Sequence, residues 1–181
     1  MTQLILERVF EPPITIADVH AAARAGGWCL NMYRVGWNGS FLSAGGRQLV
    51  CSLTAPDAES ARRAFRTAGA DTRRLWAASV HEARAHEVPT VVTPNVLVER
   101  SFTSPALFEK VHALEEAKGW CLEQHRVRWV RSYLSSDGRR MLCLYQAPDA
   151  ESVRLAQHEA GLAFDTLWPF AQTGPEAMST A

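Results

Sequence analysis

Residues 127–154, VRWVRSYLSSDGRRMLCLYQAPDAESVR, decide the fold of this chain, because the same text returns at 35–62 as VGWNGSFLSAGGRQLVCSLTAPDAESAR. Val127–Ser135 alternates as a strand does, and Arg140–Ala147 alternates again. Ser136-Asp137-Gly138 between them is a hairpin turn, since glycine accepts the positive φ a tight turn needs. Pro148-Asp149-Ala150-Glu151 then opens a helix with an acidic first turn, and Gly161 is placed to end it.

Working outward, the two stretches belong to one long repeat. All six tryptophans and all four cysteines pair at a spacing of 92 residues: Trp28 with Trp120, Trp37 with Trp129, Trp76 with Trp168, Cys29 with Cys121, Cys51 with Cys143. Leu6–Trp76 aligns without a gap on Val98–Trp168, and 33 of the 71 positions are identical. A fixed internal period of this length means one structural unit used twice. In the second copy, Asn95–Phe102 reads as a first strand. A first helix follows, with Ser104 as its cap and Pro105 at its first position, and Gly119 is a point of kinking or early stop. Phe164–Phe170 closes the unit as a last strand. The first copy runs from strand Leu4–Phe10 through a helix begun at Thr15-Ile16-Ala17-Asp18 to a last strand at Arg73–Ala77.

Each unit is therefore βαββαβ, the ferredoxin-like order, and the fold class is α+β. The expected division is unit 1 at 1–77, a linker at 78–94 with Pro89 and Pro94, unit 2 at 95–172, and a small polar, disordered tail from 173. Such a sheet carries both helices on one face. Strict alternation puts Trp129, Arg131 and Tyr133 with Met141, Cys143 and Tyr145 on the other, open face. An aromatic row of that size asks for cover. Two tandem units covering each other, as a pseudo-dimeric barrel or sandwich, is the expected architecture.

Composition narrows the function classes. Nineteen basic and nineteen acidic side chains cancel, so no global field attracts nucleic acid or an anionic membrane. No apolar run approaches a membrane span of roughly 18 residues, mean hydropathy is −0.13, and the N-terminus carries no leader pattern, so a cytoplasmic address is expected. The cysteines form no CxxC pair and read as small buried thiols. No GxGxxG, P-loop, HExxH or GxSxG occurs, and no nucleotide cofactor is expected.

The run Trp129-Val130-Arg131-Ser132-Tyr133-Leu134, continued by Leu142-Cys143-Leu144-Tyr145-Gln146-Ala147-Pro148-Asp149-Ala150-Glu151, resembles small bacterial ferredoxin-like proteins whose best-described members bind nickel. The resemblance covers about half of each unit and implies the ferredoxin-like fold. In the nickel binders a histidine sits between the Trp-Val and the Ser-Tyr, and another early in the second helix. Arg131 and Ala156 stand at those places here, with Gly39 and Ala64 in the first copy. A guanidinium cannot ligate a cation. Nickel is thus the alternative cofactor reading, and no metal is the main one. His20 and His112, the one duplicated histidine pair, are the remaining weak metal candidates. His81 and His86 lie five apart, which is not the spacing of a helical metal pair.

Function is sought where the repeat fails. Arg131 answers Gly39, Tyr133 answers Phe41, Tyr145 answers Leu53, and Met141 answers Leu49. One apolar wall (Trp37, Phe41, Leu53) facing one polar-aromatic wall (Trp129, Tyr133, Met141) would form a small-molecule site between the units. Arg131 would hold an anionic oxygen there and Tyr133 or Tyr145 donate to it, with His125 and Glu99 as proton-exchanging groups. The competing reading makes these side chains interface core. The pairs Glu7-Arg8 and Glu99-Arg100 leave parity open: inward glutamates would be general bases, inward arginines an anion trap. Three function classes follow: a small-molecule binder or cofactor-independent cyclase or isomerase, a nickel-type metal binder, and a non-catalytic scaffold. The expected partner is a small molecule, and the expected state is a monomer with an internal pseudo-dimer, or a homodimer.

Overall fold

The computed structural model describes residues 1–83 and 93–175. Most of the expected linker and most of the expected tail, with His86, lie outside the described residues. The chain divides into two compact units, one of Met1–Ala78 with the residues from Ala171 onward, the other of Ser79–Phe170.

Unit 1 is built from β1 (Thr2–Val9), α1 (Ile16–Met32), β2 (Gly36–Ser43), β3 (Gln48–Ala55), α2 (Ala58–Thr67) and the start of β4 (Arg74–Glu82). Its strands pair antiparallel in the order β4-β1-β3-β2. Unit 2 repeats this with β5 (Val96–Ser101), α3 (Phe108–Glu116), α4 (Gly119–Gln124), β6 (Arg128–Ser135), β7 (Arg140–Gln146), α5 (Ala150–Glu159) and β8 (Thr166–Thr173), ordered β8-β5-β7-β6. The ferredoxin-like expectation holds in both copies. β4 continues to Glu82, past the expected boundary at Ala77, because the backbone goes on pairing there, as in the bond from Ala83 N–H to the Val130 carbonyl.

Local chemistry explains the elements. Thr15 and Asp18 form a reciprocal capping box at the start of α1. Asp57 and Asp149 cap α2 and α5 by accepting from Ser60 and Ser152 N–H, each at 2.7 Å. Ser104 does not cap the first helix of unit 2. That helix begins only at Phe108, with Leu107 as an N-cap that offers no side-chain bond. The stop expected at Gly119 is real, since α3 ends at Glu116 and α4 starts at Gly119. The hairpin glycines Gly46 and Gly138 sit at φ 68° and 67°, and a Cβ would come within 2.3 Å of the Ile14 carbonyl and 2.8 Å of the Ala106 carbonyl.

The faces of the sheets correct the parity reading. In both hairpins the register slips by one residue, between Trp37 and Gly39 and between Trp129 and Arg131. A bulge places two residues opposite one, so simple alternation fails across it. Trp129, Ser132 and Leu134 therefore share a face with Tyr145, Cys143 and Met141, and that face packs on the helices. Arg131 and Tyr133 fall on the opposite face with Leu144 and Leu142. In unit 1, Trp37, Ser40 and Leu42 likewise join Leu53, Cys51 and Leu49 on the helix side, and Phe41 points away. Tyr145, Met141, Trp129, Trp37 and Leu53 thus belong to sheet–helix cores, not to an open face. All four cysteines are free and buried.

Candidate functional site

The repeated polar pairs are settled by the same geometry. Arg8 and Arg100 register opposite Leu49 and Met141, on the helix side. Glu7 and Glu99 point the other way, and each accepts from an indole: Trp76 Nε1 to Glu7 at 2.7 Å, Trp168 Nε1 to Glu99 at 2.9 Å. Arg140 closes on Glu99 at 2.9 Å. A carboxylate held by an indole and a guanidinium is a structural clamp, and the two donors favour the ionised form of Glu99 in that place. The inner tryptophans are equally tied: Trp37 donates to Ser40 at 2.9 Å and Trp129 to Ser132 at 2.8 Å. Ser40 in turn donates to the Cys51 thiol at 3.0 Å.

The residues expected to form one catalytic group are dispersed. Arg131 pairs with Glu82 at 2.5 Å and donates to the Tyr133 hydroxyl at 3.3 Å. His125, at the end of α4, meets Glu159 at the end of α5, 3.0 Å away. Tyr145 lies on the helix side and donates to Glu115 at 2.5 Å. Burial, followed by the charge of Glu115, pushes its phenol well above the ordinary tyrosine value. His20 meets Thr173 at 2.5 Å, whereas His112 lies 3.3 Å from Glu116 and against the Trp129 ring at 4.6 Å between centroids.

What the hairpin comparison missed lies between sheet and helices. Unit 1 holds a cavity of about 340 Å³ there. Arg8, Ala23, Trp37, Leu53 and Phe65 are among its walls, supplied by β1, α1, β2, β3 and α2. In unit 2 the positions matching Ala23, Leu53 and Phe65 are Glu115, Tyr145 and Gln157. Those three are buried, at 8%, 0% and 0% exposure, and occupy the corresponding place with a hydrogen-bonded network. Gln157 donates to Glu115 at 3.3 Å and accepts from Arg100 at 2.5 Å, and Arg100 also donates to the Ala163 carbonyl. Copy-to-copy differences at 23/115 and 65/157 were visible in the repeat. They had no meaning until the bulge put Leu53 and Tyr145 on the helix side.

Two such βαββαβ units define a tandem ferredoxin-like α+β protein. The chain belongs to the family described as nickel responsive protein SCO4226-like, whose model matches residues 5–77 and 97–169. No curated protein matches it in sequence. Among solved structures, TA0507, named as a chlorite dismutase, superposes with a TM-score of 0.54 at 9% identity over 99% of this chain and 97% of that one. A protein from Lactobacillus acidophilus NCFM named as a monooxygenase gives 0.44 at 8% identity over 95% and 94%. An anthrone oxidase-like protein gives 0.40 at 10% over 96% and 93%. The first of these supports the fold.

The two positions at which the resemblance places nickel ligands do not form a metal site within either unit. Arg131 and Gly39 face away from the helices, whereas Ala156 and Ala64 are fully buried beneath them, so the two positions cannot converge within a unit. Neither carries a ligating atom. Among the described residues no group of three or more His, Cys, Asp or Glu could hold a metal ion. No helix among them is long and apolar enough to cross a membrane.

Proposed function

We propose that the protein binds a small, largely apolar organic molecule in unit 1, between its sheet and its helices. The observation that carries this reading is the contrast between a cavity of about 340 Å³ in one copy and a filled core in the other. The volume sits at the lower end of the roughly 300–1,000 Å³ of ordinary ligand pockets. The space opens to solvent and is lined mostly by apolar side chains, which is the form of a ligand pocket. Binding without turnover is the preferred form. A cyclase or isomerase would need its proton donor and acceptor together, and Tyr145, His125 and Glu99 are each committed to separate partners.

Titration of the whole chain with the neutral fluorophore 1-aminoanthracene tests this. One saturable site per chain is expected, lost when Ala23→Leu and Leu53→Phe together fill the cavity, and kept in Tyr145→Phe. Absence of binding, or binding indifferent to the filling pair, would overturn the proposal.

A further inference from the structure

We infer that the molecule held by unit 1 is a small monocarboxylate, its apolar body in the cavity and its carboxylate on Arg8; this rests on the binding reading above. The duplication supplies the argument. The same arginine occurs in both copies, at the same register and on the helix side of the sheet. In unit 2 the chain itself answers the guanidinium, through the Gln157 carboxamide and the Ala163 carbonyl, with the Glu115 carboxylate one hydrogen bond further on. In unit 1 the matching residues are Phe65 and Ala23, which can accept nothing.

Arg8 consequently has no hydrogen-bond or ion-pair partner among the described residues. Its guanidinium lies over the Phe10 ring, 4.7 Å from the centroid. The neighbouring carboxylates are already engaged. Asp18, in the cavity wall, accepts from Thr15 N–H at 2.8 Å and from its hydroxyl at 2.7 Å. Asp71 is bound by Arg73 at 2.8 Å. The other polar groups of the lining are paired with each other, Trp37 with Ser40 and Ser40 with Cys51. A half-buried cation at the edge of an apolar space, with no hydrogen-bond acceptor of the described residues on it, is placed to receive an anionic group from outside.

The count of donors sets the class of anion. A planar carboxylate can be met by a single guanidinium fork, with two parallel N–H···O bonds. A phosphate monoester carries more charge and more acceptor oxygens than one arginine can satisfy, and no second cation lines the cavity. Unit 2 shows what shape fits: its core sets an aromatic ring, Tyr145, and a carboxylate, Glu115, in the equivalent space. An aryl or alkyl chain ending in a carboxylate reproduces that filling from without.

Calorimetric titration of the whole chain with octanoate, 4-phenylbutyrate and the neutral octanamide tests the inference. Octanoate is expected to bind at least tenfold tighter than octanamide. Arg8→Met should erase that preference and leave octanamide affinity unchanged, with Arg8→Lys retaining part of it. Thermal unfolding of each variant shows that it is folded, and retained octanamide binding shows that the cavity is intact. Equal affinity for octanoate and octanamide in the wild type would overturn the carboxylate assignment while leaving the binding reading in place. So would a preference that survives Arg8→Met. If no probe binds and the filling pair Ala23→Leu with Leu53→Phe is silent, the binding reading itself falls.

Discussion

Units 1 and 2 share a strand order, a bulge, an indole–glutamate clamp and an arginine beneath the helices, yet they fill the space around that arginine in opposite ways. Unit 2 uses Glu115, Tyr145 and Gln157, and its Arg100 is 3% exposed. Unit 1 uses Ala23, Leu53 and Phe65 and keeps a cavity. The difference teaches that a duplicated fold can separate stability from binding. One copy binds its buried guanidinium through both terminal nitrogens within its own core, and the other leaves a half-buried guanidinium open to an outside group.

The comparison is broken most directly at the two arginines. Arg100→Met should cost about 2–4 kcal/mol, because the Gln157 carboxamide oxygen and the Ala163 carbonyl lose their donor in a closed core. Arg8→Met in unit 1 should cost under about 1 kcal/mol, since no protein acceptor is orphaned. Urea unfolding of the two variants measures the difference, and equal losses would show that unit 1 is as self-contained as unit 2.

A smaller asymmetry lies at the helix starts. Thr15→Ala should remove about 1 kcal/mol by breaking the capping box of α1. Leu107→Asp should instead add about 0.5–1 kcal/mol, because α3 begins without a side-chain acceptor and Leu107 is exposed. A Leu107→Asp protein no more stable than the parent would mean that the cap backbone cannot accept the bond.

The smallest effect expected is a pH dependence confined to unit 2. His81 stacks on Phe108, with ring centroids 3.7 Å apart, and its Nε2 lies 2.9 Å from the Ser79 hydroxyl. Burial depresses its pKa, Glu109 opposes the shift and His112 adds to it. The unfolded chain then takes up the proton more readily, so stability is complete above the unfolded value near 6.5 and declines as pH falls below it. His81→Phe should flatten that decline in thermal unfolding between about pH 7 and 5. An unchanged slope would assign it to other groups.

Much of the fold was legible in the sequence because the repeat and the turn residues act locally. Pro148-Asp149, Gly138, Gly161 and the alternating runs each constrain their own few residues, and the period of 92 tied the two readings together. The candidate site was not legible, for one reason at Trp129-Val130-Arg131. Alternation was carried straight through a place where the strand holds an extra residue, which moved Tyr145 and Met141 to the wrong face. Ser104 failed for a similar reason: a good capping residue is no guarantee that the helix starts beside it. Arg8 could be seen, but its isolation could not, since isolation depends on what Ala23 and Phe65 fail to provide across the core.

The bulge has a consequence at the level of codons. Losing the single codon for Val130 would remove the extra residue and restore strict alternation to β6. Everything between Arg131 and the turn would keep its face, because Trp129 inside would be followed directly by Arg131 outside and Ser132 inside, as their partners Tyr145, Leu144 and Cys143 already are. Three-base deletions at this point, or at Asn38 in the first copy, should therefore be borne more easily than the loss of a codon further along the strand, such as that of Tyr133, which would turn Leu134 outward. The two bulges are the places where these strands can change length by one residue without turning over.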